Sequence, residues 1–430
     1  MILHSSPKTY YKGTHRTISP EETKRIILKK IRHSNLPIYE KIIRIDHLDK
    51  IGIPVYAVIH SNRFNNSRLP SWGKGLTDDL AYVSGLMERV ERYSASDIYV
   101  RRKEIIYSEF KGIKDERMIS RWDLIPCNLQ RKLYSKKEID KQVRPWVRCF
   151  SLTKNKNVLI PANLIFFKAD GCKDDFSDTT GLASGNNIEE AILHGLCEVI
   201  ERHLQDVIHW NKIKVPSINI ESICDYDLKR IITKIQSKGM ITLHLSYLTS
   251  DFKIPVIRVF GYPKKGPYLG SFGFYTSVGV HPDKKIALAR ALTEFVQARV
   301  SGLYRIKNKY DKVYKFKVFP YNIYNFFNDI IGEDTLPFDK IVSYKNKDIL
   351  EDIELIINIL HSKGCEIIVK DLTHPKIGIP TVRVLVKGLQ PGIFGIGIVD
   401  LNHKAARISK YLDYYSYLQK NIQNITLTDG

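Results

Sequence analysis

Residues 228–260 read LKRIITKIQSKGMITLHLSYLTSDFKIPVIRVF, and their pattern decides the fold. Ile231 and Ile235 recur at helical spacing, and the SKG that follows ends the helix, with Gly239 free to adopt the left-handed cap conformation. A strand, a turn and a second strand that opens with Ile-Pro complete the unit. Pro255 fits the first position of a strand, because a missing N–H costs least there. The segment predicts a helix followed by a β-hairpin.

Two other segments repeat this plan. They are TKRIILKKIRHSNLPIYEKIIRIDHLDKIGIPVYAVI, residues 23–59, and IELIINILHSKGCEIIVKDLTHPKIGIPTVRVL, residues 353–385. The second of these also has SKG, with Gly364 at the cap, and Pro54 and Pro380 open the last strands. The first has Asn35 at the cap, and asparagine is the next best residue for a left-handed cap. Three helix–strand–strand units predict an α+β fold on antiparallel sheets.

Composition excludes several classes of protein. The chain has 430 residues, of which 43% are hydrophobic and 26% charged, as in ordinary globular proteins. Its six cysteines form no CxxC pair, which argues against a zinc ribbon or a thioredoxin-like motif and suits a reducing compartment. The first residues contain no apolar signal region, and no later apolar run is long enough to span a bilayer. We expect a cytoplasmic protein that does not bind a membrane.

The formal net charge of +21 favours anionic partners. Lysine is spread along the chain instead of being concentrated in one patch, so a nucleic-acid-binding module is disfavoured and no nucleic-acid partner is expected. The stretches that best suit such contacts, because they mix basic and aromatic residues, are KTYYKGTHR (8–16) and YRIKNKYDKVYKFK (304–317).

Two similar octets, GLMERVER (85–92) and GLCEVIER (195–202), carry the pattern that points to chemistry. Each lies in a stretch of helical periodicity, and a third such helix is predicted over 287–300. Residues four, seven or eight apart share one face of a helix. The three faces hold Ser84, Glu88, Glu91 and Arg92; then Glu190, His194, Glu198, Glu201 and Arg202; then Arg290, Glu294 and Gln297.

A single ExxER helix is usually a solvated face, but its repetition with apolar flanks favours packed helices that share a cleft. Carboxylates that converge repel one another and need cations. Hard oxygen ligands suit Mg²⁺, which commonly comes with phosphates, and arginines suit phosphate oxygens. Glycine-rich segments around Lys74 and Asn186 precede two of the helices and can bind anions through backbone N–H groups. None of them matches a Walker or Rossmann pattern.

Four strings resemble the YcaO family in their order and spacing. They are GKGLTDDLAYVSGLMERVERYSA (73–95), GLASGNNIEEAILHGLCEVIERH (181–203), GVHPDKKIALARALTEFVQARVS (279–301) and IPTVRVLVKGL (379–389). The resemblance implies a YcaO-type ATP-binding core over residues 66–400. Residues 1–65 are then expected to form an N-terminal helix–strand–strand unit integral to the fold, and residues 401–430 a C-terminal helix and a short tail.

The resemblance implies a YcaO-like fold whose glutamate-bearing helices converge on an ATP and Mg²⁺ cleft. Its activity is ATP-dependent activation of a peptide backbone amide, in which the amide oxygen is phosphorylated. The residues that match the family's metal ligands are Glu88, Glu91, Glu198 and Glu201. Those that contact ATP or order the metal shell are Lys74, Ser84, Arg92, Asn186, Glu190, Arg202, Arg290 and Glu294. No general base is assigned, and for His194 we favour a buried, hydrogen-bonded structural role.

The chain departs from one branch of the family. Azoline-forming members often end in a proline-rich tail, whereas the last proline here is Pro391. The chain is more similar to standalone thioamide-forming members of methanogenic archaea, whose substrate is a glycine of the methyl-coenzyme M reductase α subunit. Such members often act with a TfuA-type sulfur-delivery partner, and family members are often homodimers. An azoline-forming cyclodehydratase and a non-catalytic accessory factor for another modifying enzyme stay open as alternatives.

Overall fold

The computed structural model describes residues 1–60, 69–96, 98–114, 116–124, 140–166, 179–210, 213–248, 252–264, 275–308 and 331–389. The predicted C-terminal helix within 401–430 lies outside these residues, as does most of the basic stretch 304–317. The helices are α1 (Pro20–Ser34), α2 (Asp78–Ser96), α3 (Arg121–Leu124), α4 (Ile188–Trp210), α5 (Tyr226–Ser237), α6 (Lys284–Lys307) and α7 (Ile349–Ser362).

The strands within the same ranges are β1 (Lys41–Arg44), β2 (Val55–Ile59), β3 (Ser71–Lys74), β4 (Ile105–Ser108), β5 (Arg144–Ser151), β6 (Lys156–Pro161), β7 (Leu182–Ser184), β8 (Val215–Asn219), β9 (Ile241–Tyr247), β10 (Val256–Pro263), β11 (Tyr275–Val280), β12 (Ile331–Pro337), β13 (Glu366–Asp371) and β14 (Thr381–Lys387). They form three sheets, with strand orders β1-β2-β3, β11-β10-β9-β8-β12 and β4-β5-β13-β14-β7, and β6 pairs with β5. The predicted α+β class with antiparallel sheets is confirmed.

One strand pair runs against the expectation of purely antiparallel sheets. Strand β12 pairs with β8 in parallel, with Leu336 opposite Ile218. A parallel pair needs a long crossover connection. The chain supplies one, because α5, three strands and α6 lie between β8 and β12. This pairing therefore depends on tertiary packing and not on a local pattern.

Each of the three quoted segments has the element order helix, strand, strand. The strands form antiparallel hairpins, β1 with β2, β9 with β10, and β13 with β14. Pro54, Pro255 and Pro380 each lie one residue before the last strand of the hairpin instead of opening it. In the first segment a 3₁₀ helix, Asp46–Leu48, lies between the two strands. A repeated unit and its origin by duplication stay predictions.

The left-handed caps are partly as predicted. Asn35 and Gly364 have positive φ angles of 54° and 77°, but the residue with positive φ after α5 is Met240, at 51°, and not Gly239. Gly239 meets a different need. A Cβ there would lie 2.6 Å from the Ile235 carbonyl oxygen, so the position needs a residue without a side chain. The prediction that Gly239 has a left-handed conformation was wrong, since the left-handed residue lies one position later.

The helices that carry the glutamates lie directly on strands, because glycines remove the intervening side chains. A Cβ on Gly73 of β3 would overlap the Ala81 carbonyl and lie 2.6 Å from the Gly85 nitrogen in α2. A Cβ on Gly279 of β11 would lie 2.6 Å from the Ala291 nitrogen in α6. In α4, a Cβ on Gly195 would lie 3.0 Å from the Gly181 carbonyl oxygen. A Cβ on Gly85 would lie 3.0 Å from Val58 Cγ2 and 3.1 Å from the Gly73 nitrogen, so the first residue of each octet is glycine for a packing reason.

We predict that Gly73→Ala lowers the free energy of unfolding by about 3 kcal/mol, the upper end of the usual range for overpacked interiors, because the Cβ meets backbone atoms. The control is Gly364→Ala. A Cβ there meets nothing within 4 Å, so only the left-handed backbone penalty of about 1 kcal/mol applies. Urea unfolding compares the two variants. Equal losses would show that the strand and helix do not need this close contact.

Candidate functional site

A cavity of about 380 Å³ lies where α2, α4 and α6 converge. The structure brings all the sequence-predicted site residues to its wall: Lys74, Ser84, Glu88, Glu91, Arg92, Asn186, Glu190, Glu198, Glu201, Arg202, Arg290 and Glu294. Residues that are more than two hundred positions apart in the chain thus meet in one place. The expectation of one shared cleft agrees with this geometry.

The first glutamate of each octet is fixed by the backbone of a neighbouring strand or turn. The Trp72 N–H donates to Glu88 Oε2 at 2.8 Å, and the Gly181 N–H donates to Glu198 Oε2 at 3.0 Å. One turn later on each helix, an arginine approaches the other oxygen. Arg92 Nη2 lies 2.5 Å from Glu88 Oε1, and Arg202 Nη2 lies 3.6 Å from Glu198 Oε1. Each helix therefore presents an oriented carboxylate with its own cation.

The second glutamate of each octet is more deeply buried. Glu91 and Glu201 are 8% and 3% exposed. Ser184 donates its N–H (2.8 Å) and its hydroxyl (2.7 Å) to Glu91 Oε1. Burial, helped by the Glu88 and Glu198 carboxylates, raises the pKa of Glu91 to about 8. Burial and the Glu294 carboxylate raise the pKa of Glu201 to about 8. A bound cation would compensate for this cost.

The glutamate of the third helix, α6, is paired with a lysine of β3. The Lys74 ammonium donates to Glu294 Oε2. Burial acts to raise the pKa of Glu294, but Lys74 and the arginines of the cavity outweigh it, so this pKa lies below its ordinary value. Among the described residues, the buried Nε atoms of Arg92 and Arg290 have no hydrogen-bond partner. Donors left without partners in a cavity wall are suited to phosphate oxygens.

A further part of the wall comes from the N-terminal segment, which the sequence did not indicate. Glu190 Oε1 accepts from the N–H and the hydroxyl of Thr17, both at 2.7 Å. Arg16 Nε lies 3.7 Å from Glu190 Oε2, and the Asn186 N–H donates to the same oxygen at 3.0 Å. In the sequence, the one signal that included Arg16 was the mixture of basic and aromatic residues in 8–16. That mixture is typical of a nucleic-acid-binding surface, whereas Arg16 faces the cavity and Lys8 is buried.

His194 lies half-buried on α4 between Glu190 and Glu198, and it lines the cavity. Within the described residues no hydrogen bond of its ring is found, and the predicted hydrogen-bonded structural role stays a prediction. Desolvation, followed by the charges of Arg290, Arg16 and Lys74, lowers the pKa of His194 well below its ordinary value. This shift favours the neutral ring.

A second cluster, described outside the cavity, has the composition of a metal site. Potential ligand atoms of His15, His281 and Asp352 lie within 4.8 Å of one another. His281 Nδ1 accepts from the Asp283 N–H at 2.9 Å, so in the neutral ring Nε2 carries the proton and offers no lone pair. Lys8 Nζ lies 2.6 Å from Asp352 Oδ2 and occupies the place of a cation. We interpret the cluster as an anchor for the N-terminal segment.

Comparison with known proteins gives the family. The model for "YcaO cyclodehydratase, ATP- and Mg²⁺-binding" matches residues 72–390. The chain belongs to the YcaO family. YcaO proteins are ATP-dependent, amide-activating enzymes, and ATP and Mg²⁺ are the cofactors of this domain. The carboxylates and the unpartnered arginine nitrogens of the cavity fit that pair of ligands.

Individual relatives of this YcaO chain come from different organisms. An uncharacterized protein of Methanothermobacter thermautotrophicus is 29% identical over 367 residues, which cover 81% of this chain and 89% of the relative. An uncharacterized protein in the tfuA 3′ region of Rhizobium leguminosarum bv. trifolii is 25% identical, over 88% of this chain and 90% of the relative. The structure of YcaO from Methanopyrus kandleri bound with AMPPCP and Mg²⁺ superposes with a TM-score of 0.69 at 24% identity. That match covers 90% of this chain and 96% of the other, and it supports the YcaO fold.

Among the helices of the described residues, none combines the length and the apolar character needed to cross a bilayer.

We predict that the free energy of unfolding of the metal-free, nucleotide-free protein falls as pH rises from about 4.5 to about 8. Folding raises the pKa of Glu91 and Glu201 from 4.5 to about 8. Within that window the folded protein holds protons that the unfolded chain has released, so stability decreases with pH. Urea unfolding at several pH values measures this slope.

Glu91→Gln should reduce the slope, since the amide does not titrate. Glu354→Gln, on the exposed face of α7, is the control and should leave the slope unchanged. A slope that is the same in Glu91→Gln and wild type would contradict a raised pKa for the buried Glu91 carboxyl.

Proposed function

We propose that this YcaO protein installs a thioamide in a peptide backbone, using ATP to activate the amide oxygen. The substrate we propose is a glycine of the methyl-coenzyme M reductase α subunit. The sulfur comes from sulfide or from a TfuA-type partner protein. A homodimer is the proposed assembly, and the cytoplasm the proposed location.

The charged residues of the cavity wall are the observation that supports catalysis by this protein. Six carboxylates and the cations Lys74, Arg92, Arg202 and Arg290 line one space of about 380 Å³. A wall with both charges fits a cation bound together with a polyphosphate. An accessory factor without catalysis has no physical need to bury two carboxyls whose pKa is raised to about 8.

The proposed roles follow from position in the wall. Glu88, Glu91, Glu198 and Glu201 hold Mg²⁺, which neutralises charge on the triphosphate. Lys74, Arg92, Arg202 and Arg290 bind phosphate oxygens. Ser84, Asn186, Glu190 and Glu294 contact the nucleotide or orient these groups.

The reaction balances without a further co-reactant. Hydrosulfide adds to the amide carbon, and the oxygen takes the γ-phosphoryl group while its bond to ADP breaks. The C–O bond then breaks and phosphate leaves as the C=S bond forms. The net change converts an amide, hydrosulfide and ATP into a thioamide, ADP and hydrogen phosphate. Positioning and charge neutralisation supply most of the catalysis in such phosphoryl transfers.

Two relatives support the choice of sulfur chemistry and substrate over azoline formation. One comes from Methanothermobacter thermautotrophicus, and the other is encoded in a tfuA 3′ region. The first is consistent with a substrate found in methane-producing archaea, and the second is consistent with a TfuA-type partner.

Mass spectrometry of a peptide tests the reaction. The peptide contains the proposed glycine and is incubated with the protein, Mg·ATP and sulfide, with and without a TfuA-type protein. An ATP-dependent gain equal to exchange of one oxygen for one sulfur is the expected result. Loss of one water from a peptide with a neighbouring cysteine, serine or threonine would support azoline formation instead. Intact ATP binding with neither change would favour the accessory role.

We predict that Glu88→Gln and Glu198→Gln each weaken binding of Mg·ATP at least about 100-fold, because each removes a negative oxygen ligand of the metal. Both keep the shape of the side chain, so the Trp72 and Gly181 N–H groups retain an acceptor. Calorimetry gives the affinity, and Glu354→Gln is the matched control. Wild-type affinity in both variants would refute the assignment of the metal ligands.

A further inference from the structure

His194 is an ionisable group of the cavity wall to which the proposed roles assign nothing. It lies one helical turn from Glu190 and one from Glu198, on the face that lines the cavity. Two ion pairs of the wall, Arg16 with Glu190 and Arg202 with Glu198, lie one helical turn to either side of it. The ring thus lies between two groups proposed to contact the nucleotide and its metal.

The other titratable groups of the wall are already engaged. Glu190 accepts from Thr17 and Asn186, and Glu294 pairs with Lys74. The four octet glutamates are the proposed metal ligands. Within the described residues the His194 ring has no hydrogen bond, so a lone pair is free to accept a proton from a bound reactant.

We propose that His194 accepts the proton that the nucleophile loses during amide activation. This inference rests on the proposed function and adds a catalytic residue to it. In the thioamide reaction the S–H bond breaks as the C=S bond forms and the C–O bond to phosphate breaks. The proton passes to a ring nitrogen of His194 and from there to the released phosphate or to water. In azoline formation the ring would take the proton of the side-chain hydroxyl or thiol as it adds, and the amide N–H proton would pass to water or phosphate as the C=N bond forms and the C–O bond to phosphate breaks.

Burial and the charges that face the ring favour its neutral form before the reaction. Burial lowers the pKa of His194 most, and Arg290 from α6, Arg16 from the N-terminal segment and Lys74 from β3 lower it further. Glu190 and Glu198 lie on its own helix. A bound polyphosphate opposes the three cations, so the ring becomes a stronger base when the substrate is in place. General-base catalysis of this kind contributes about 10²–10⁴-fold to rate.

The test compares His194→Gln and His194→Ala with wild type. The control is His361→Gln, an exposed histidine in the last turn of α7. We expect Mg·ATP affinity within about threefold of wild type in all variants, and a peptide modification rate at least about 100-fold lower in both His194 variants. Added imidazole should restore part of the activity of His194→Ala. The His361→Gln rate should equal that of wild type.

Two results would overturn the inference. One is a His194→Gln rate close to that of wild type. The other is loss of Mg·ATP binding in parallel with the rate and no response to imidazole, since that pattern belongs to a structural residue.

A second measurement does not depend on the peptide. With ¹³C-labelled histidine, the His194 ring signal is identified as the one missing from His194→Gln. Titration with and without Mg·AMPPCP should show that the nucleotide raises the pKa of this ring. A pKa that does not move would refute the proposal. If wild type modifies no peptide while the pKa rises, the proposed thioamide reaction fails and the placement of His194 beside the nucleotide stands.

Discussion

The close contact of three helices with glycine-bearing strands is the constraint on which the site depends. Gly73 and Gly279 leave room for the backbones of α2 and α6, and Gly195 lets α4 approach the turn at Gly181. This contact brings the Trp72 and Gly181 N–H groups to Glu88 and Glu198. The backbone thus sets the direction of each carboxylate, which is a more rigid arrangement than one made by side chains alone.

The same geometry creates an electrostatic cost. Glu91 and Glu201 lie behind the oriented pair and are buried, so that their pKa rises to about 8. Arg92 and Arg202 follow their glutamates by one turn and offset part of the repulsion. The remainder favours a divalent cation, and the unpartnered nitrogens of Arg92 and Arg290 favour its phosphate ligand. The same buried charges that favour binding of metal and nucleotide therefore lower the stability of the protein when both ligands are absent.

Much of the site was readable from the sequence because it rests on local spacing. Helical periodicity gives the face of each octet, and the repetition of ExxER indicates that these faces meet. Other features have no local signal. Thr17 and Arg16 reach Glu190 only through the fold of the N-terminal segment. The parallel pairing of β12 with β8 depends on a long connection. The left-handed residue after α5 is Met240, whereas Gly239 packs closely against the Ile51 side chain and the Ile235 carbonyl.

The N-terminal segment shows why the working site is larger than the family match over 72–390. Lys8 is fixed to Asp352 at the start of α7, and Ser6 N–H donates to Asp348 at 2.8 Å. These contacts hold residues 13–17 near the N-terminus of α4, where Thr17 donates hydrogen bonds to Glu190. Without them, Asn186 would be the donor left to the Glu190 carboxylate among the described residues, and the cavity would lose the Arg16 charge. Arg16 and Thr17 therefore complete the site from outside the family match, whereas the carboxylates and the other cations of the cavity lie within it.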